Sequence, residues 1–153
     1  MEVKKTNQSG VTLIELLIVL MIIAVIAGVS FPALTSGLSS IRLSSASGSA
    51  ASFLTSALNR VDRREEAAAI VISPKENLLA VYTAASGAKP DRTLDMPKGI
   101  TIEGTEPRRF LLMPGGTAPR MTLVLLNDKG ARSSVQIDPV TGVPKVQRIE
   151  SAK

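Results

Sequence analysis

The sequence GVTLIELLIVLMIIAVIAGV occupies positions 10–29, and it decides how the rest of the chain is interpreted. From position 11 to position 29, only Thr12 and Glu15 are distinctly polar. A helix of this length would be ~28 Å long, which is about the thickness of a bilayer core. We therefore predict a transmembrane helix over residues 11–31.

A short basic leader precedes the apolar segment. Lys4 and Lys5 lie in this leader, and Gly10 is the small residue where leader and apolar helix meet. A secretory signal carries its cleavage site after the apolar stretch, which is then lost. Here the junction comes first, so cleavage after Gly10 would remove residues 1–10 and keep the helix. Because basic residues stay on the cytoplasmic side, we expect the remainder of the chain outside.

These residues resemble the class III signal of type IV pilins and type II secretion pseudopilins. The resemblance rests on Lys4-Lys5 and on the run Gly10-Val-Thr-Leu-Ile-Glu-Leu16, with Val11 where the family most often has Phe. It implies that a prepilin peptidase cleaves between Gly10 and Val11 and that Val11 is N-methylated. Pro32 lies where the family tends to carry a proline that bends the helix.

Glu15 would be costly inside hydrocarbon without a partner, because an ionised carboxylate there costs ~2.5–3.5 kcal/mol. No Lys, Arg or His occurs between Lys5 and Arg42, so a cationic partner must be a chain terminus or another molecule. The family resemblance implies that Glu15 pairs with the new α-amino group at Val11 of a neighbouring subunit during assembly. The alternative is that Glu15 lies at the cytoplasmic interface and stays hydrated.

The helical pattern continues beyond the apolar segment, through residues 32–66. Apolar residues recur at spacings of three or four, which predicts one face of an amphipathic helix. This stripe consists of Leu43, Ala46, Ala50, Phe53, Ala57 and Val61. We expect bends at Pro32 and Gly37, since proline removes a backbone donor and clashes with the preceding turn.

After Glu66 the pattern changes to short runs rich in Val, Ile and Leu between turn residues, which predicts strands. The predicted strands are 69–73, 78–83, 99–103, 108–113, 121–127, 133–137 and 145–149. Short turns join several neighbours, so the sheet should be mostly antiparallel. The fold class expected is α+β, with a long N-terminal helix packed on a β head formed by residues 67–153.

Composition limits the chemistry open to this chain. It contains no Cys and no His, so it has neither disulfides nor the commonest general base. No spacing of polar residues singles out a catalytic pair or a phosphate-binding loop. We therefore expect no enzyme activity, no metal site and no cofactor.

The C-terminal half carries a weaker resemblance. The runs 110–119 and 135–146 look like the closing part of H-type minor pseudopilins and their FimT-type pilus relatives. This implies a structural subunit at or near the tip of a type II secretion pseudopilus, in the bacterial inner membrane, with its C-terminal domain in the periplasm. The implied partners are other major and minor pseudopilins and an inner-membrane assembly platform. The alternative is that these runs are turn chemistry shared by any β head.

The alternative function is that of a minor type IV pilin, either in pilus biogenesis without DNA binding or in DNA uptake, and DNA uptake is suggested by the charge of the last third. Residues 98–153 contain nine basic and five acidic residues, a net charge of +4. Basic side chains could neutralise phosphates of nucleic acid without reading its sequence. The residues that could form such a strip are Arg120, Lys129, Arg132, Lys145, Arg148 and Lys153. Against this function, the chain has one Tyr and three Phe, and therefore few rings for base stacking.

Overall fold

The computed structural model describes residues 11–149, and it confirms the α+β class. The leader residues Lys4, Lys5 and Gly10, and the basic residue Lys153, lie outside the described residues. The chain divides into two compact units, with the boundary between Gly37 and Leu38.

In the first unit, the described residues are helical from Leu13 onward. Helix α1 spans Leu13–Arg64, and the large apolar side chains from Leu13 to Ile26 are all more than half exposed. Among residues 11–149, no helix meets the combined length and hydropathy required to cross a membrane. The span predicted for residues 11–31 is not confirmed and stays a prediction. Pro32 lies within α1, and the bend predicted there also stays a prediction.

In the second unit, α1 buries the face that the sequence predicted. All six residues of the apolar stripe are at most 6% exposed, and Leu54 widens it. The last helical residue is Arg64, because Glu65 adopts a φ of 52°, which is incompatible with a right-handed helix. The helix therefore ends close to the predicted position, Glu66.

Within residues 11–149, eight strands form two four-stranded antiparallel sheets, where the sequence predicted one mostly antiparallel sheet. One sheet has the order β3-β2-β1-β5 and the other has the order β4-β6-β7-β8. Turn residues predict that neighbours pair, but they do not show where the chain crosses between sheets. The strands are β1 (Ala68–Ser73), β2 (Leu78–Thr83), β3 (Arg92–Asp95), β4 (Ile100–Ile102), β5 (Arg108–Leu112), β6 (Thr122–Asn127), β7 (Arg132–Ile137) and β8 (Pro144–Ile149).

Seven of these strands agree with the predicted ranges within one residue at each end. Strand β3 was not predicted, because Leu94 is its single apolar residue and gives no alternation. It forms by pairing with β2, where Leu94 lies opposite Leu79. The core lies where α1 packs against both sheets, and Leu54, Ile70 and Leu123 are completely buried in it.

Asn77 connects the two sheets from the turn between β1 and β2. It adopts a φ of 57°, a left-handed conformation that Asn tolerates better than most residues. Its Nδ2 donates a hydrogen bond to the carbonyl of Ile100 at 2.8 Å, and its Oδ1 accepts one from the N–H of Ile102 at 2.9 Å. The Asn77 amide thus pairs with backbone groups at the edge of β4, as the backbone of a neighbouring strand would.

Candidate assembly site and head surface

Thr12 and Glu15 form a capping box at the start of α1. Glu15 Oε2 accepts hydrogen bonds from the Thr12 backbone N–H at 2.9 Å and from the Thr12 hydroxyl at 3.0 Å. In return, the Glu15 backbone N–H lies 3.4 Å from the Thr12 hydroxyl oxygen. These contacts satisfy backbone donors that a helix start otherwise leaves unpaired. The sequence carries a signal for this cap, Thr-x-x-Glu before an apolar run, which the predicted assembly role of Glu15 does not use.

The negative charge of Glu15 is not neutralised within the described part of the chain. None of the ion pairs seen among residues 11–149 includes Glu15. Both hydrogen bonds from Thr12 reach the same oxygen, Oε2, and a carboxylate can accept further donors at the other. The site can therefore hold the helix start and still accept a cation supplied by another molecule.

Residues 5–31 match the family model of the prokaryotic N-terminal methylation motif. The match includes Val11 and both residues of the capping box. Such a type IV pilin-like signal is consistent with processing by a prepilin peptidase and with pilin or pseudopilin partners, and it implies membrane anchoring. No curated protein and no solved structure matches the chain.

Two basic residues of the strip predicted in the last third of the chain form ion pairs with carboxylates. Arg132 Nη2 lies 2.9 Å from Glu103 Oε1. Lys145 Nζ lies 2.8 Å from Asp138 Oδ2. This Lys145 contact, together with the N–H groups of the Asp138 turn, lowers the pKa of Asp138 from 3.8 to about 2. Two positive charges are thus paired within the head and are less available to phosphates.

The register of β7 and β8 puts two members of the predicted strip, Lys145 and Arg148, on opposite faces. Arg148 lies opposite Ser133, and Lys145 lies opposite Gln136. Because cross-strand partners share a face and successive residues alternate, Arg148 and Lys145 point to different sides of the sheet. Arg148 borders a groove beside Leu43 of α1. The structure therefore does not bring these side chains into one continuous strip along β8.

The remaining members are also separated along the chain. Arg120 is exposed just before β6, and Lys129 lies in the turn between β6 and β7.

Among the described residues, no group of three or more His, Cys, Asp or Glu side chains is arranged to hold a metal ion.

The two runs of the C-terminal resemblance come together in space, which the sequence did not predict. Residues 113–119 from the first run and 139–142 from the second line one cleft with the last turns of α1. Val140 N–H and Thr141 N–H donate to Asp138 Oδ1, at 3.0 and 3.3 Å. The second turn is therefore ordered by a carboxylate at its first position, as in an Asx-turn.

Proposed function

We propose that this protein is a minor pseudopilin, a structural subunit at or near the tip of a type II secretion pseudopilus. In this position it promotes filament assembly and the export of folded exoproteins. The observation that carries the proposal is the methylation motif over residues 5–31, in a chain whose residues 38–149 form an α+β unit. The finer assignment, to a secretion filament and to its tip, rests on the weaker resemblance of residues 110–119 and 135–146.

In the proposed mechanism, a prepilin peptidase cleaves between Gly10 and Val11, and Val11 is then N-methylated. The apolar helix holds the protein in the bacterial inner membrane, with the head in the periplasm. During assembly, the Glu15 carboxylate pairs with the terminal amine of a neighbouring subunit, which relieves the cost of a charge in hydrocarbon. The assembly platform and the other pseudopilins are the partners, and the role needs neither catalysis nor a cofactor from this chain.

Mass spectrometry of the N-terminus tests the processing step. Protein extracted from membranes of the source bacterium should begin at Val11 and carry one methyl group. A Gly10→Val variant should keep its leader, because the peptidase then lacks its small residue. Assembled protein that retains residues 1–10, or that begins beyond the apolar segment, would contradict the proposal.

Deletion of the gene tests the assignment to secretion rather than to a pilus. Folded exoproteins should accumulate in the periplasm of the deletion strain, while surface pili should remain. The full chain supplied from a plasmid should restore export, and the Gly10→Val variant should not. Loss of surface pili with normal export would instead assign the protein to a type IV pilus.

A further inference from the structure

A cleft of about 470 Å³ opens where α1 ends in the head. Its walls are the last turns of α1, at Asn59 and Asp62, the loop 113–119 between β5 and β6, and the turn 139–142 between β7 and β8. The volume falls within the range of known ligand-binding pockets, ~300–1,000 Å³. The cleft is therefore large enough for several side chains of a partner.

Hydrogen bonds within the chain hold both loops of the cleft in place. Gly115 N–H donates to Asp62 Oδ1 at 3.3 Å, which connects the first loop to the helix. Gly142 N–H donates to the Asp138 carbonyl at 2.8 Å, which closes the second turn. Since the walls are formed without a ligand, a partner would lose little affinity to ordering them.

Asp62 gives the cleft a negative charge. None of the ion pairs formed within residues 11–149 includes Asp62. No Lys or Arg is among the residues that line the cleft. The Asp62 carboxylate accepts one hydrogen bond, from Gly115, and can accept more. A cation from a partner would find an acceptor here, whereas a phosphate would be repelled.

Two exposed apolar side chains, Met113 and Val140, lie among the polar residues at the rim of the cleft, and no aromatic ring lines it. Val140 is 91% exposed and Met113 is 56% exposed. Because no Phe or Tyr lines the cleft, it offers no stacking surface for a nucleobase. The N–H groups of Thr117 and Ala118 donate no backbone hydrogen bond to any described residue. These donors suit the carbonyl groups of an extended peptide.

We propose that this cleft binds an extended segment of a partner polypeptide in which a Lys or Arg lies next to an apolar residue. The basic side chain pairs with Asp62, the apolar side chain covers Met113 and Val140, and the peptide backbone meets the free N–H groups of the loop. The proposal concerns residues of the second unit alone, the last turns of α1 and the β head. It does not depend on processing after Gly10 or on filament assembly, and it stands or falls separately from the proposed function.

Two blocked tripeptides serve as probes, Ac-Val-Lys-Val-NH2 and Ac-Val-Glu-Val-NH2. Each is titrated to millimolar concentration into the ¹⁵N-labelled full chain in detergent micelles, and amide shifts are followed by NMR. The Lys peptide should shift the amides of Gly115, Thr117, Thr141 and Gly142. The Glu peptide should leave these amide shifts unchanged, because its carboxylate is repelled by the carboxylate of Asp62.

Asp62→Asn isolates the charge, because the Asn oxygen can still accept the hydrogen bond from Gly115. We expect this variant to bind the Lys peptide about tenfold more weakly, since hydrogen bonds to charged groups are the stronger ones. Glu76→Gln removes an exposed carboxylate in the turn between β1 and β2, and it should bind as the wild type does. The proposal would be overturned if the Lys and Glu peptides bound equally well, or if Asp62→Asn bound the Lys peptide as tightly as the unsubstituted protein does. It would also be overturned if the Lys peptide shifted none of the cleft amides.

Discussion

Glu15 combines two physical roles that a substitution by alanine removes together. Its carboxylate completes the capping box with Thr12, and its charge is the feature to which we assign a role in assembly. Glutamine separates the two, because its side-chain oxygen can accept the bond from the Thr12 N–H while carrying no charge.

We expect Glu15→Gln and Glu15→Ala to be processed and inserted, because removing a charge makes the helix easier to place in hydrocarbon. Both variants should fail to restore export in the deletion strain, since neither can pair with a terminal amine. The measurements are the amount of processed protein in membranes and the amount of exoprotein outside the cell. Full export with Glu15→Gln but not with Glu15→Ala would show that only the cap matters.

Phe53 tests the buried stripe of α1. It is 6% exposed, and the Arg92 guanidinium lies 5.6 Å from the centre of its ring. Phe53→Ala should lower the free energy of unfolding by ~3–5 kcal/mol, because it leaves a cavity in the core. Urea unfolding can be followed by the fluorescence of Tyr82, since the chain has no Trp and no other Tyr.

Phe53→Leu is the matched control, and it should cost less because it retains most of the apolar contact. A cost for Phe53→Ala below ~1 kcal/mol would be typical of an exposed site, and it would show that the ring contributes little to the core.

The residues that could be predicted from the sequence are those that recur along the chain at a regular spacing. The stripe of α1 was found because its members recur every three or four positions. The contacts of Asn77 with β4 and of Asp62 with Gly115 could not be found in this way. Their partners lie more than twenty positions away, and a single polar residue has no period.

At the scale of elements, the ends of strands were easier to predict from local sequence signals than the pairing of strands distant in the chain. Turn residues fixed the ends of seven strands, because Gly, Asn, Asp and Pro act on their immediate neighbours. Strand β3 depends on its partner β2 for its existence, and it was missed. The division into two sheets depends on three crossings, from β3 to β4, from β4 to β5 and from β5 to β6, which no short-range signal marks.

The hairpin of β7 and β8 should respond to acid through Asp138. Because contacts with Lys145 and the turn N–H groups lower the pKa of this carboxyl to about 2, the folded form favours the ionised state. Its contribution to stability is fully present above the ordinary pKa of 3.8 and is lost as the pH falls through about 2. The amide shifts of Val140 and Thr141, followed by NMR, should therefore change with a midpoint near the lower value.

Two variants test the cause of this acid response. Asp138→Asn should abolish the transition, because the turn oxygen remains while the titrating group is gone. Lys145→Ala should move the midpoint upward, towards the ordinary value, because it removes the ammonium contact. A midpoint in the unsubstituted protein close to 3.8 would mean that the contact between Lys145 and Asp138 does not persist in solution.

At the scale of the whole molecule, the register of β7 and β8 puts Lys145 and Arg148 on opposite faces of their sheet, so these two side chains do not form one basic strip. We therefore expect the full chain in detergent to bind duplex DNA only in the non-specific range, with a Kd of ~10⁻⁴–10⁻⁶ M at physiological salt. Replacing both Lys145 and Arg148 with Ala should leave this affinity unchanged within error. Gel-shift titrations at two salt concentrations provide the measurement.

Submicromolar binding that the double substitution abolishes would support DNA uptake by a minor type IV pilin and count against secretion. Lys75→Ala, in the exposed turn between β1 and β2 of the other sheet, is the control for a general loss of positive charge. The separation of Lys145 from Arg148 could not be predicted from composition, because the faces on which charges lie depend on register.

The order in which the strands enter the two sheets has a consequence for dividing the protein into pieces. Strand β4 belongs to one sheet, β5 returns to the other, and β6 goes back again. A single break in the backbone therefore cannot leave both sheets whole, wherever between β1 and β8 it falls. A protease that nicks any exposed loop of the head would yield two fragments that depend on each other, and each would have to find its other half before either could regain its full structure.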